Sequence, residues 1–174
     1  MRYAVIYGGI AGAVAIAIIS TTLAFDLQSN HSSVWFGYLV MLAALSLIFV
    51  GVKRYRDVEC GGVIGFRRAL GLGVGAAAIA GLFYAIGWEV FVAASGYDFI
   101  ADYSASMVAG MRAEGASAAA MQAKVAELQE MASMYNNPLI RMPMIFIEIF
   151  PVGLLVALAT AAILRNPGVL PAER

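Results

Sequence analysis

Residues 69–94 read ALGLGVGAAAIAGLFYAIGWEVFVAA, a run with one acid, Glu89, and no lysine or arginine. As a helix at ~1.5 Å per residue it crosses ~30 Å of hydrocarbon. A helix apolar on every side has no solvated face, so lipid is its simplest solvent. Three more windows read the same way: Tyr3 to Phe25, Val34 to Val52 and Leu139 to Leu164, the last carrying Glu148. The first also imitates a signal peptide, with Arg2, an apolar core and the small residues Thr22 and Ala24. Its uncharged run exceeds a normal h-region, and it is read here as a retained span.

The whole composition agrees. Hydrophobic residues make up 62% and charged ones 13%, with a mean hydropathy of +0.84, against ~45–50% apolar in soluble domains. The expectation is an all-α, polytopic membrane protein in which residues 1–174 form a single membrane domain with four transmembrane helices. Zero net charge and a pI near 6.6 mean that nothing global points to nucleic acid, which requires a strongly basic face. Cys60 is the sole cysteine, which excludes an internal disulfide and any multi-cysteine metal site.

Orientation follows from lysine and arginine counts. Arg2, Lys53, Arg54, Arg56, Arg67, Arg68, Arg165 and Arg174 fall on one side, and Arg112, Lys124 and Arg141 on the other. The richer side is cytoplasmic by the positive-inside rule, so both termini and a basic loop at 53–68 are expected inside. Trp35, Tyr38, Trp88 and Tyr97 are then expected near the outer boundary and Tyr3, Tyr7 and Tyr55 near the inner one.

Residues 97–138 are the one sizeable segment outside the spans and read as an extracytoplasmic helical hairpin between helices 3 and 4. Phe99, Tyr103, Met107 and Met111 recur at helical spacing in one arm, and Met121, Val125, Leu128, Ala132 and Tyr135 in the other. Glu114-Gly115-Ala116-Ser117 marks the break, with Ser117 as N-cap.

The run Gly51-Val-Lys-Arg-Tyr-Arg-Asp57, then Gly61-Gly62-Val-Ile-Gly-Phe66 and a glycine-rich helix, resembles a bacterial membrane family known as domain of unknown function 4199. Trp88-Glu89-Val90, Tyr97-Asp98-Phe99, Tyr135-Asn-Asn-Pro138, Phe150-Pro-Val-Gly153 and Ala161-Ala-Ile-Leu-Arg165 are similar too. The resemblance covers nearly the whole chain. It implies a small multi-pass protein of the bacterial inner membrane and brings no activity to transfer. Position 65 departs from the family pattern, with glycine where serine is expected more often.

Glu89 and Glu148 are the residues most suggestive of chemistry, because a carboxylate in a span is costly and faces a cavity, a partner or the bundle interior. Both fall in the outer half of the expected topology and could share a pocket. Arg141, two turns before Glu148, can pair with either acid. One reading is a proton or cation site built from Glu89, Glu148 and Arg141. The other, which carries more weight, is structural: a buried ion pair with Arg141 or, for Glu89, a side chain reaching interfacial water. Pro151 frees the carbonyl of Ile147 and could kink the helix beside Glu148.

Gly73, Ala77, Gly81 and Ala85 form an unbroken four-residue row that Glu89 continues, and Gly8 and Gly12 form a second small face. Such rows let helices approach closely, within a chain or between two. Met107, Met111, Met121, Met131 and Met134, with Met142 and Met144 beside them, form a candidate partner surface of adaptable side chains. Cu(I) is a minor alternative. No metal site is expected, since His31 is the only histidine and sits in a polar loop. The glycines near position 62 lack the Gly-Lys-Ser/Thr of a phosphate loop. No hydrolase elbow or zinc-protease motif appears.

The expected function is therefore non-enzymatic and without cofactors: an integral protein of the bilayer whose outer hairpin serves self-association or a membrane protein partner. The alternative is a small proton- or cation-linked transporter or channel component using Glu89 and Glu148.

Overall fold

The computed structural model describes residues 1–24 and 34–172. His31, the rest of the first loop and the side chain of Trp35 lie outside the described residues. Among those described, every regular element is an α-helix: α1 (Arg2–Ala24), α2 (Val34–Leu45), α3 (Leu47–Glu59), α4 (Phe66–Ser95), α5 (Phe99–Ala113), α6 (Ala118–Tyr135) and α7 (Pro138–Leu164). Four stretches are long and apolar enough to cross a membrane: Arg2–Ala24, Gly37–Glu59, Phe66–Ser95 and Pro138–Leu164. The chain divides into two compact units, Met1–Trp88 with Ile145–Arg174, and Glu89–Met144.

The first unit is built on backbone proximity. A side chain added at Gly8 would strike the carbonyl oxygen of Ala76, and one at Gly12 that of Ala80, so α1 lies directly on α4. On its other side α4 meets α7, with Gly73 against Ala157, Ala77 against Gly153, and Gly81 against the ring of Phe146. Both small rows expected from the sequence are thus spent on intrachain packing. Because lipid tails are as apolar as leucine, it is close packing that holds these helices together.

The second span differs from its expected bounds. It runs to Glu59 rather than ending at Val52, so most of the expected 53–68 loop is helix and only residues 60–65 connect α3 to α4. Charge pairing at helical spacing extends it, with Lys53 Nζ 2.6 Å from Asp57. The turn that follows uses Gly61 and Gly62, both at positive φ. The same span is interrupted once, at Ser46, whose hydroxyl donates to the Ala43 carbonyl at 2.6 Å. That back-bond competes with the helical ladder, and the next turn tightens, Phe49 N–H donating to Ser46 O at 2.9 Å.

Trp88 is buried, at 5% exposure, on the face of α4 that also buries Ala77, Gly81 and Ala85. Helix α7 remains helical through Pro151, and Gly153 two residues on is held against Ala77.

In the second unit, local chemistry ends and restarts each helix. Gly96, at φ 66°, closes α4 with its N–H on the Val92 carbonyl at 2.9 Å. Asp98 caps α5, accepting from Ala101 N–H at 3.0 Å. Gly115, at φ 76°, ends α5, and Ser117 caps α6, accepting from Ala120 N–H at 3.2 Å. Asn137 Oδ1 accepts from Leu139 N–H at 3.0 Å, and Pro138 opens α7, where its missing N–H costs nothing.

Candidate functional site

The most organised polar site lies within the second unit, where the end of α4 faces the first turn of α7. Arg141 Nε donates to Glu89 Oε1 at 2.7 Å and Arg141 Nη2 to Glu89 Oε2 at 2.5 Å. This fork is the strongest geometry available to an arginine and a carboxylate. Arg141 Nη1 donates to the Tyr135 carbonyl at 3.3 Å, and the guanidinium sits 5.4 Å from the Tyr135 ring centroid. Tyr135 in turn meets Phe99 of α5 at 5.7 Å. One arginine thus connects α4, α6 and α7 while its side chain is only 10% exposed and that of Glu89 20%. A cleft of about 230 Å³ opens beside it, lined by Val92, Gly96, Tyr97, Asp98, Phe99, Tyr135, Asn136 and Arg141. Glu148 is not among its lining residues.

Of the two acids within sequence reach of Arg141, Glu89 has it in full, with both oxygens engaged. Glu148 belongs to the first unit, is exposed on α7, and has no hydrogen-bond or ion-pair partner among the described residues. The candidate partner surface is only partly open: Met107, Met111, Met121 and Met131 are half-buried, while Met134 is 46% exposed. The half-buried methionines lie on the same arms as the fully buried Ile100 and Leu128, so packing takes up much of their surface.

Arg56 counts in the sequence only as topological charge, yet its side chain is fully buried. It donates to Asp57 Oδ1 at 2.7 Å, to the Val169 carbonyl at 2.9 Å and to the Leu170 carbonyl, holding the segment after α7. A signal is present in the spacing: Ile48, Val52 and Arg56 stand four residues apart, and the first two are core residues. Arg56→Lys keeps the charge but cannot reach two carbonyls and a carboxylate at once. It is expected to lower stability by about 1–3 kcal/mol, read as an earlier unfolding midpoint in mild detergent; an unchanged midpoint would show that the clamp contributes nothing.

Four apolar spanning helices, interlocked through glycine and alanine and bearing one forked ion pair, define a multi-pass helical membrane protein. The chain belongs to the family described as Protein of unknown function (DUF4199), whose model matches residues 2–166, in agreement with the resemblance carried by the 51–66 stretch. No curated protein and no solved structure matches it.

Proposed function

We propose that this is a non-enzymatic protein of the bacterial inner membrane, with both termini cytoplasmic, in which α5 and α6 form an extracytoplasmic hairpin for binding a membrane partner or a second copy. The observation that carries this reading is the Glu89–Arg141–Tyr135 linkage, which joins α4, α6 and α7 at the foot of that helix pair. A recognition element needs a rigid base and an open face. On the same two arms Tyr103, Val125 and Met134 stay 39%, 37% and 46% exposed, with Tyr103 of the residue type that most often anchors protein contacts. The distribution of basic residues supports the orientation.

A proton or cation relay is less well supported. A carboxylate whose charge is already balanced by a forked guanidinium attracts a further cation weakly, and Glu148 alone makes no chain of carriers. The test is replacement of residues 99–134 by a short linker, followed by affinity purification and cross-linking in membranes. The replacement is expected to abolish recovery of partners or oligomers that depend on the hairpin. An unchanged set of cross-linked species would refute the reading.

A further inference from the structure

Glu148 stands alone on the outward face of a spanning helix. Ten residues separate it from Pro138, the first residue of α7, and sixteen from Leu164, the last. Any ~20-residue stretch of α7 chosen to fill the hydrocarbon therefore includes it. Its side chain is exposed, and so are Pro151, Leu155, Ala159 and Ala162, which follow it along the same face. An ionisable side chain at that depth needs a polar partner, and none exists among the described residues.

We propose that Glu148 is covered by a second copy of this chain, α7 against α7 about a two-fold axis along the membrane normal, with the two Glu148 carboxyls hydrogen-bonded to each other. The argument is one of depth and inventory. The bias of lysine and arginine to one side, eight against three, favours a single orientation for every copy, and a two-fold axis along the normal then brings each residue of the contact to its own counterpart at equal depth. No lysine or arginine occurs in residues 4–24, 37–52, 69–95 or 142–164, so a second copy offers no basic side chain at that level. It offers Glu148 itself. Two carboxyls with one proton between them supply the donor and acceptor that each lacks alone. Ala159 and Ala162 keep the lower part of the face small enough for close approach. The inference goes beyond the hairpin reading and uses a different surface.

The experiment begins from Cys60→Ala in native membranes, with a single cysteine placed at Leu155 or Ala159 and, as control, at Leu82, which is 50% exposed on α4. Oxidative cross-linking is expected to give homodimers from the two α7 positions and at least tenfold less from position 82. Equal yields from all three, or cross-links from α7 only to other proteins, would overturn the proposal. A second arm exchanges the carboxyl. Glu148→Gln, whose amide both donates and accepts, should retain the dimer, and Glu148→Leu should reduce it at least tenfold. Glu148→Lys should fail to pair with itself but pair with the wild-type chain when the two are co-expressed with different tags. Retention of the full dimer by Glu148→Leu, or no preference of the lysine variant for wild type, would refute the carboxyl pair.

Discussion

Arg141→Ala is expected to destabilise the protein by about 3–5 kcal/mol, the cost of breaking a buried pair by removing one partner. The fork to Glu89 is largely shielded from solvent, and both of its bonds are short, 2.7 and 2.5 Å. Truncation leaves the Glu89 carboxylate without its partner and leaves the Tyr135 carbonyl without the Nη1 donor. The diagnostic comparison is with Glu89→Leu/Arg141→Leu, which removes both charges and is expected to recover most of the loss, because an uncompensated charge costs more than an absent pair. Unfolding midpoints in mild detergent measure both. If the double variant were as unstable as the single one, the pair would matter for shape rather than for charge. If neither moved, the fork would not hold the site together at all.

Gly12→Leu is expected to cost at least about 3 kcal/mol, beyond ordinary overpacking, because the obstruction is backbone. A side chain at residue 12 meets the carbonyl oxygen of Ala80 and the Cβ of Phe83 at 2.8 Å, and Gly8 repeats the geometry one turn earlier on Ala76. Rotamer changes relieve a clash with a flexible side chain but cannot move a helix backbone, so α1 must separate from α4. Gly71→Ala is the control. Nothing lies within 4 Å of a side chain there, and helix propensity predicts a change between zero and a gain of about 1 kcal/mol. Folded yield and midpoint after detergent extraction distinguish the two. Equal behaviour would show that the α1–α4 seam tolerates separation.

The spans are legible in the amino-acid sequence, since an uncharged run of such length permits few other conformations in few other solvents. Their ends are less so. Lys53, Arg54 and Arg56 read as a loop because charge ends a hydropathy window, whereas a helix can continue into water when i,i+4 pairs such as Lys53–Asp57 support it. The small row at Gly73, Ala77, Gly81 and Ala85 announces a close contact without naming its partner. Spacing describes one surface, and a contact needs two. Trp88 illustrates the same limit: its residue type suggests a ring at the headgroup level, and its burial at 5% exposure comes from neighbours that the spacing does not name.

The amino-acid sequence by itself determined the solvent of this chain, its all-helical class, the number of its spans and the break at Gly115, because these depend on local composition and on φ angles open to glycine. Tertiary structure decided which charge met which. Arg141 stands within sequence reach of two glutamates, and only the placement of α4 beside the start of α7 assigns it to Glu89. That assignment leaves Glu148 alone on the outer face of its helix. The same holds for Arg56, a plain surface cation by residue type that becomes a buried clamp once residues 169 and 170 return to it. Burial and pairing are relations between distant segments, and no local pattern contains them.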